Sequence, residues 1–188
     1  TDLSSHAVHL VKGEVSKISK VGERFEIHCN GRVYTAANVV LSIGVQGSPR
    51  KLTMPGGDLP HVTYTLGDPD AFKGRSIVVV GAGDAAIENA LALSVHNTVS
   101  LINRGEEFAR AKEANAKLAL SAIEGGKIRC YYNSVIARVE SSILTASTPE
   151  GEVTIPCDHV IARLGCVLPR AFLESIGVEF PSQEPTAV

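Results

Sequence analysis

Tryptophan is absent from this 188-residue chain, and the aromatic share is only 5%. Stacking on exposed bases needs such rings, so single-strand nucleic-acid recognition has little to work with. Basic charge is no more abundant: 18 Lys and Arg stand against 20 Asp and Glu, a net of −2. That balance disfavours following a phosphate backbone. The four cysteines (Cys29, Cys130, Cys157, Cys166) include no C-x-x-C pair. Neither a dithiol redox centre nor a zinc site is expected, and no metal ligands are assigned. They read instead as buried cysteines of a reducing compartment. No run approaches the ~18 apolar residues of a membrane span, and no leading basic-then-apolar segment points to secretion. A cytoplasmic protein without nucleic-acid or membrane partners is the expectation.

What is present is ordinary for a globular chain: 44% apolar and 20% charged residues. The length allows one complete domain plus part of another. From Ala7, "AVHLVKGEVSKISK" alternates apolar and polar residues, as does "RFEIHC", and Asn30-Gly31 before "RVYTA" is a strong hairpin signal. The continuous apolar run "NVVLSIG" reads as a strand buried on both faces. The Gly- and Pro-rich "VQGSPRKLTMPGGDLP" reads as an irregular crossover.

The pattern then changes. "SIVVVG" is a buried strand and "DAAIENALALSV" a helix, with Ala86, Ile87, Ala90, Leu91 and Ser94 on one face. "TVSLIN" is a second strand, and "ARAKEANAKLALSAIE" a second helix that Gly125-Gly126 stops. "KIRCYY" is a third strand. A parallel β-α-β-α-β sheet follows. Short segments ("SVIARVES", "SILTAST", "EVTIP") make an antiparallel meander, with "PEGE" as one of its turns, before a last apolar strand, "HVIARLG". Beyond Val167 a short amphipathic helix and a Pro- and Gln-containing end are expected.

The chemistry is concentrated where the "SIVVVG" strand meets its helix, in Gly81-Ala82-Gly83-Asp84-Ala85-Ala86, a G-x-G-x-x-A turn. Alone such a turn is weak evidence, but here it stands between a strand and a helix in a βαβ unit. Gly81 permits the tight turn, Gly83 lets backbone approach a pyrophosphate, and Ala86 keeps helix and sheet close. The phosphates then meet unpaired N–H groups at the positive helix end.

The end of the second strand selects the dinucleotide. An NAD site places Asp or Glu there, whereas this chain has Asn103-Arg104. A guanidinium pairs with a 2′-phosphate, and Arg110 and Lys112 are close enough in sequence to assist. NADP(H) is favoured over NAD(H), the alternative being that these are solvated charges. Asp84 would repel a diphosphate, so it is expected to cap the helix N-terminus instead. Glu88, one turn later, is a candidate acceptor from the nicotinamide carboxamide or else a surface glutamate. Gly165, closing the last strand, completes the candidate cofactor-binding positions. No catalytic residue is assigned, and Cys166, His61 and His159 are expected to be structural.

Taken together these segments resemble the thioredoxin-reductase-like flavoproteins, pyridine nucleotide oxidoreductases in which an NAD(P)H-binding domain is inserted in an FAD-binding domain. "VVVGAGDAAIENALALS" is similar to the family's nucleotide motif, and "VSLINRGEEFARAKE" to its 2′-phosphate loop. "VVLSIGVQGSPRKLTMPGGD" and "HVIARLGCVLPRAFLESIGVEF" resemble the outgoing and returning connections to the FAD domain. The redox C-x-x-C of thioredoxin reductases proper has no counterpart in "YTLGDPDAFKGRS", and Gly105 and Ala109 stand where further arginines are expected.

The resemblance implies an α/β fold: a Rossmann-like parallel βαβαβ sheet with an antiparallel meander in a three-layer ββα sandwich, plus a partial FAD-domain meander. It implies residues 1–59 as FAD-domain meander and crossover, 60–167 as the NAD(P)H-binding domain and 168–188 as the linker back. FAD and the missing FAD-domain segments then belong to the full-length protein only. A homodimer is one possible assembly. The 188 residues by themselves are expected to turn over nothing. The implied activity is hydride transfer from NAD(P)H to flavin and on to ferredoxin or a similar acceptor. A stand-alone nucleotide-sensing module and part of a flavoprotein monooxygenase are the alternatives. A short-chain dehydrogenase is disfavoured, because no tyrosine has a lysine four residues on.

Overall fold

The computed structural model describes residues 8–44, 49–167 and 169–180. The expected Ala7 start of the first strand, residues 45–48 of the crossover and the Pro- and Gln-containing end lie outside these. The chain divides into two compact units, residues 46–167 and the remainder on either side.

In the flanking unit, β1 (Val15–Val21), β2 (Arg24–Cys29) and β3 (Arg32–Ala36) form an antiparallel sheet in that order. Asn30 and Gly31 both have positive φ (50° and 75°), as a two-residue type I′ hairpin requires, and Cys29 faces Arg32 across it. The run 38–44, expected as a buried strand, forms no ladder with any described residue, and its Val40 is 89% exposed. An apolar run becomes a strand only where a neighbouring edge offers hydrogen-bonding partners.

The other unit begins with segment 49–59, which the sequence grouped with the meander and which here packs in this unit. Leu52 is buried, Met54 and Leu59 pack on the same core, and Pro55 O accepts from Val139 N at 2.9 Å. Next come β4 (Val62–Thr63), a 3-10 turn over Pro69–Ala71, β5 (Ser76–Val80), α1 (Asp84–Leu93), β6 (Thr98–Ile102), α2 (Glu113–Glu124) and β7 (Ile128–Tyr131). The meander is β8 (Val135–Val139), β9 (Ile143–Thr148) and β10 (Gly151–Pro156), followed by β11 (His159–Ala162). Beyond it, in the flanking unit, lies α3 (Arg170–Ser175), where Arg170 pairs with Glu174 at 2.7 Å.

Five strands make one sheet in the order β4-β11-β5-β6-β7, and every pairing is parallel. Its central strands are rich in Val and Ile, whose branched side chains suit a surface packed on both faces. Strand alternation then sorts them. Val78, Val80, Ile102, Val160 and Ala162 meet the meander's Ile136, Leu144 and Ile155. Ile77, Val79, Val99, Leu101 and Ile161 meet Ile87, Ala90 and Leu93 of α1 and Ala119 of α2. The result is the expected three-layer sandwich. Each fully buried aliphatic side chain contributes about 1.5–3 kcal/mol, so the two clusters dominate this unit's stability. α2 starts at Glu113 rather than 109, because Ala109–Lys112 is spent on the turn that leads into it.

Chain order places β6 and β7 on one side of β5 and β11 on the other. The crevice past the carboxyl ends of β5 and β11 is therefore the topological switch point, where open α/β sheets take their ligands.

Candidate functional site

Gly81 leaves β5 with a φ of 129°, outside the range side chains tolerate. Its N–H donates to Ile102 O at 3.0 Å, and an added Cβ would stand 2.5 Å from Arg163 O. Strain and close approach both demand glycine here. Gly83 differs. Its φ is −91°, open to any residue, and a Cβ there would meet nothing within 4 Å. Nothing among the described residues requires glycine at 83, yet its bare Cα leaves clear the space before α1.

Gly83 is also the N-cap of α1, with no side-chain cap bond, and its carbonyl accepts from Ala86 N and Ile87 N. Among the described residues the N–H groups of Asp84 and Ala85 have no protein acceptor. Ala86, 1% exposed, holds the helix against the sheet, while Ala82 and Ala85 are half-buried beside it. The arrangement is a cleared shelf before unpaired amides at a positive helix end, which fits anionic oxygens.

Asp84 does not cap α1, as the sequence led one to expect. It stands one residue past the cap, and its carboxylate turns toward the other helix. Oδ1 accepts from Lys112 N at 2.8 Å and from Asn115 Nδ2 at 2.9 Å. Those two bonds, the backbone one first, hold its carboxyl below the ordinary 3.8. Lys112 is the N-cap of α2, so Asp84 satisfies that helix's start across space. Glu88 is also engaged, its Oε1 accepting from Asn115 Nδ2 at 3.0 Å. One amide therefore joins both carboxylates of α1 to α2. Sequence reasoning passed over Asn115; a poor helix former within a helix was the available signal.

Asn103 is 2% exposed and shapes the loop rather than facing outward. Nδ2 donates to Glu107 O at 3.1 Å, and Oδ1 accepts from Gly105 N at 2.9 Å. Arg104 and Arg110 are exposed and in no ion pair among the described residues. Their sequence neighbours Glu106, Glu107 and Glu113 are exposed as well. Gly165 has a φ of 84° and is exposed, and its carbonyl accepts from Arg50 N at 2.9 Å. The glycine turn, the Asn103–Arg104 corner and Gly165 thus all lie beyond the carboxyl ends of the adjacent strands β11, β5 and β6. Arg110 lies farther along, in the turn before α2.

Burial pushes the Cys130 and Cys157 thiols up to about 11, so neither is a thiolate at neutral pH. Cys166, expected in the core, is half-buried beside its bridge to Pro49. His61 Nε2 bonds Glu140 O, and His159 packs edge-on against Phe72, both structural roles. Among the described residues no cluster of His, Cys, Asp or Glu is placed to hold a metal, and no helix is long and apolar enough to cross a membrane.

The family model for pyridine nucleotide-disulphide oxidoreductases matches residues 7–187. The chain belongs to this family. It is 28% identical over 185 residues to a ferredoxin–NADP reductase of Ignicoccus hospitalis, covering 92% of this chain and 58% of that protein. It is 31% identical over 180 residues to a thioredoxin reductase of Treponema pallidum, covering 87% and 57%. Among solved structures, a bacillithiol disulfide reductase of Staphylococcus aureus superposes with a TM-score of 0.84 at 24% identity, covering 92% of this chain and 54% of that one. That likeness shows the fold. This member of the pyridine nucleotide-disulphide oxidoreductases spans about half the length of the relatives it matches.

Proposed function

We propose that this chain holds a nicotinamide dinucleotide, NADP(H) in preference to NAD(H), for hydride exchange with a flavin, the redox chemistry those cofactors supply when bound. The carrying observation is the shelf at Gly83, where unpaired N–H groups of Asp84 and Ala85 meet space that a side chain would fill. There the turn's N–H groups donate to the diphosphate, and α1 adds its positive end. Asp84, drawn off to Lys112 and Asn115, directs its charge toward α2.

Arg104, at the corner built by Asn103, takes the 2′-phosphate. No carboxylate stands at 103 to prefer a free 2′-hydroxyl. Residues 46–167 form the nucleotide-holding unit, and the flanking residues belong to the FAD-holding part of a longer protein. The relatives' roughly doubled length supports that division. With no paired cysteines among the four present, a ferredoxin-like acceptor suits the chain better than a disulfide.

Calorimetric titration of the 188-residue chain tests this. It is expected to purify colourless, to bind NADP⁺ more tightly than NAD⁺, and to oxidise no NADPH unaided. Arg104→Ala should weaken NADP⁺ by about tenfold and leave NAD⁺ nearly unchanged, as loss of one charge-assisted contact predicts. Equal losses for both overturn the 2′-phosphate assignment, and binding of neither by the unmodified chain overturns the reading.

A further inference from the structure

The guanidinium of Arg163 is a charged group at the switch point that the preceding account leaves unused. It follows β11 directly, and its N–H donates to Val80 O at 2.7 Å, beside the last residue before the glycine turn. Its carbonyl is the atom that excludes a Cβ from Gly81. The side chain runs over the sheet's carboxyl edge, where Nη1 donates to Tyr64 O at 2.7 Å, just past β4. Arg163 Nε is removed from solvent and has no partner among the described residues. Among the described residues no carboxylate pairs with this guanidinium.

A guanidinium carries five N–H donors in a rigid fork. Here one reaches a carbonyl and another is shut away from both water and protein. Nε itself is closed to any ligand, but the half-buried side chain leaves Nη2 open and without a hydrogen bond among the described residues, and phosphate oxygens arriving from the crevice suit that end of the fork and supply the opposite charge.

Position decides which part of the ligand that is. The adenosine end is read at the end of β6, where Arg104 stands. Arg163 lies on the opposite flank of β5, beyond β11 and toward β4. We infer that Arg163 is a dinucleotide-binding residue that donates to the phosphate on the nicotinamide side, with Tyr64 O fixing its orientation. This rests on the dinucleotide reading above and adds to it a second cationic contact, indifferent to the 2′-substituent.

The test compares intact dinucleotides with a probe that lacks the nicotinamide half. In calorimetry, Arg163→Met is expected to weaken NADP⁺ and NAD⁺ alike, each by about tenfold, the loss of a charge-assisted contact. Binding of 2′,5′-ADP should be unchanged. Arg163→Lys keeps the charge without the fork, so it should retain part of the affinity and serves as the second variant if the Met form folds poorly. Unchanged NADP⁺ binding in both variants overturns the inference and leaves the dinucleotide reading standing. Parallel loss of 2′,5′-ADP overturns it too, because that marks a purely structural residue. If the unmodified chain binds none of the three ligands, the underlying reading fails as well.

Discussion

The two units use their apolar residues in opposite ways. In residues 46–167 the long apolar side chains of β5, β6 and β11 are buried between a meander and two helices. In the flanking unit, Leu10 is 87% and Val40 89% exposed, and Val21 and Val33 of the three-stranded sheet are more than half exposed. A folded surface normally carries isolated apolar residues, but among the described residues this small unit exposes nine large ones against five in the much larger residues 46–167. Among the described residues both buried apolar clusters lie in residues 46–167.

Cutting into each unit sharpens that contrast. Leu101→Ala, which opens a cavity between sheet and helices, should cost about 2–5 kcal/mol. Val40→Ser should stay within about 0.5 kcal/mol. Thermal or urea unfolding of both variants measures the difference, and comparable losses would show that the flanking unit has a core of its own.

A smaller effect separates the two glycines of the turn. Gly81→Ala meets strain at a φ of 129° and the Arg163 carbonyl, costing about 1–3 kcal/mol. Gly83→Ser, a better N-cap, should leave stability level or raised by a few tenths of a kcal/mol. Its hydroxyl then takes an amide from the shelf, so dinucleotide affinity falls while the melting temperature holds. A Gly83→Ser protein that binds as well as the original would show that the shelf is not the ligand's seat.

The smallest effect concerns Asp84. Its folded carboxyl titrates below 3.8, through the Lys112 amide first and Asn115 second. Stability from this contact is present above the unfolded value and is lost as pH falls through the folded one. The Lys112 amide resonance should follow that titration, with a midpoint below 3.8. In Asp84→Asn the shift should vanish. A midpoint at or above 3.8 would mean that Asp84 does not hold the start of α2.

The legible parts of this protein are those whose causes lie close together in the chain. Alternating and continuous apolar runs announced β2, β5, β6 and β9 through β11, and Asn30-Gly31 announced its hairpin. Gly125-Gly126 marked the end of α2, and the glycine turn could be read from six residues. The run 38–44 misled for the same reason. Its local signal is that of a strand, but pairing depends on an edge that local composition does not contain. The two-residue β4 carries too short a pattern to be seen at all.

The sequence by itself determined the order of elements from β5 to β11, the conformation of the glycine turn and the absence of paired thiols. Backbone freedom, periodicity and spacing act over a few neighbouring residues. Tertiary structure alone decided that β11 inserts between β4 and β5, that Asp84 serves α2, and that Arg163 keeps a donor unpaired. Those outcomes join residues 28 apart for Asp84 with Lys112 and 99 apart for Arg163 with Tyr64. Which distant groups meet is settled by how the layers pack.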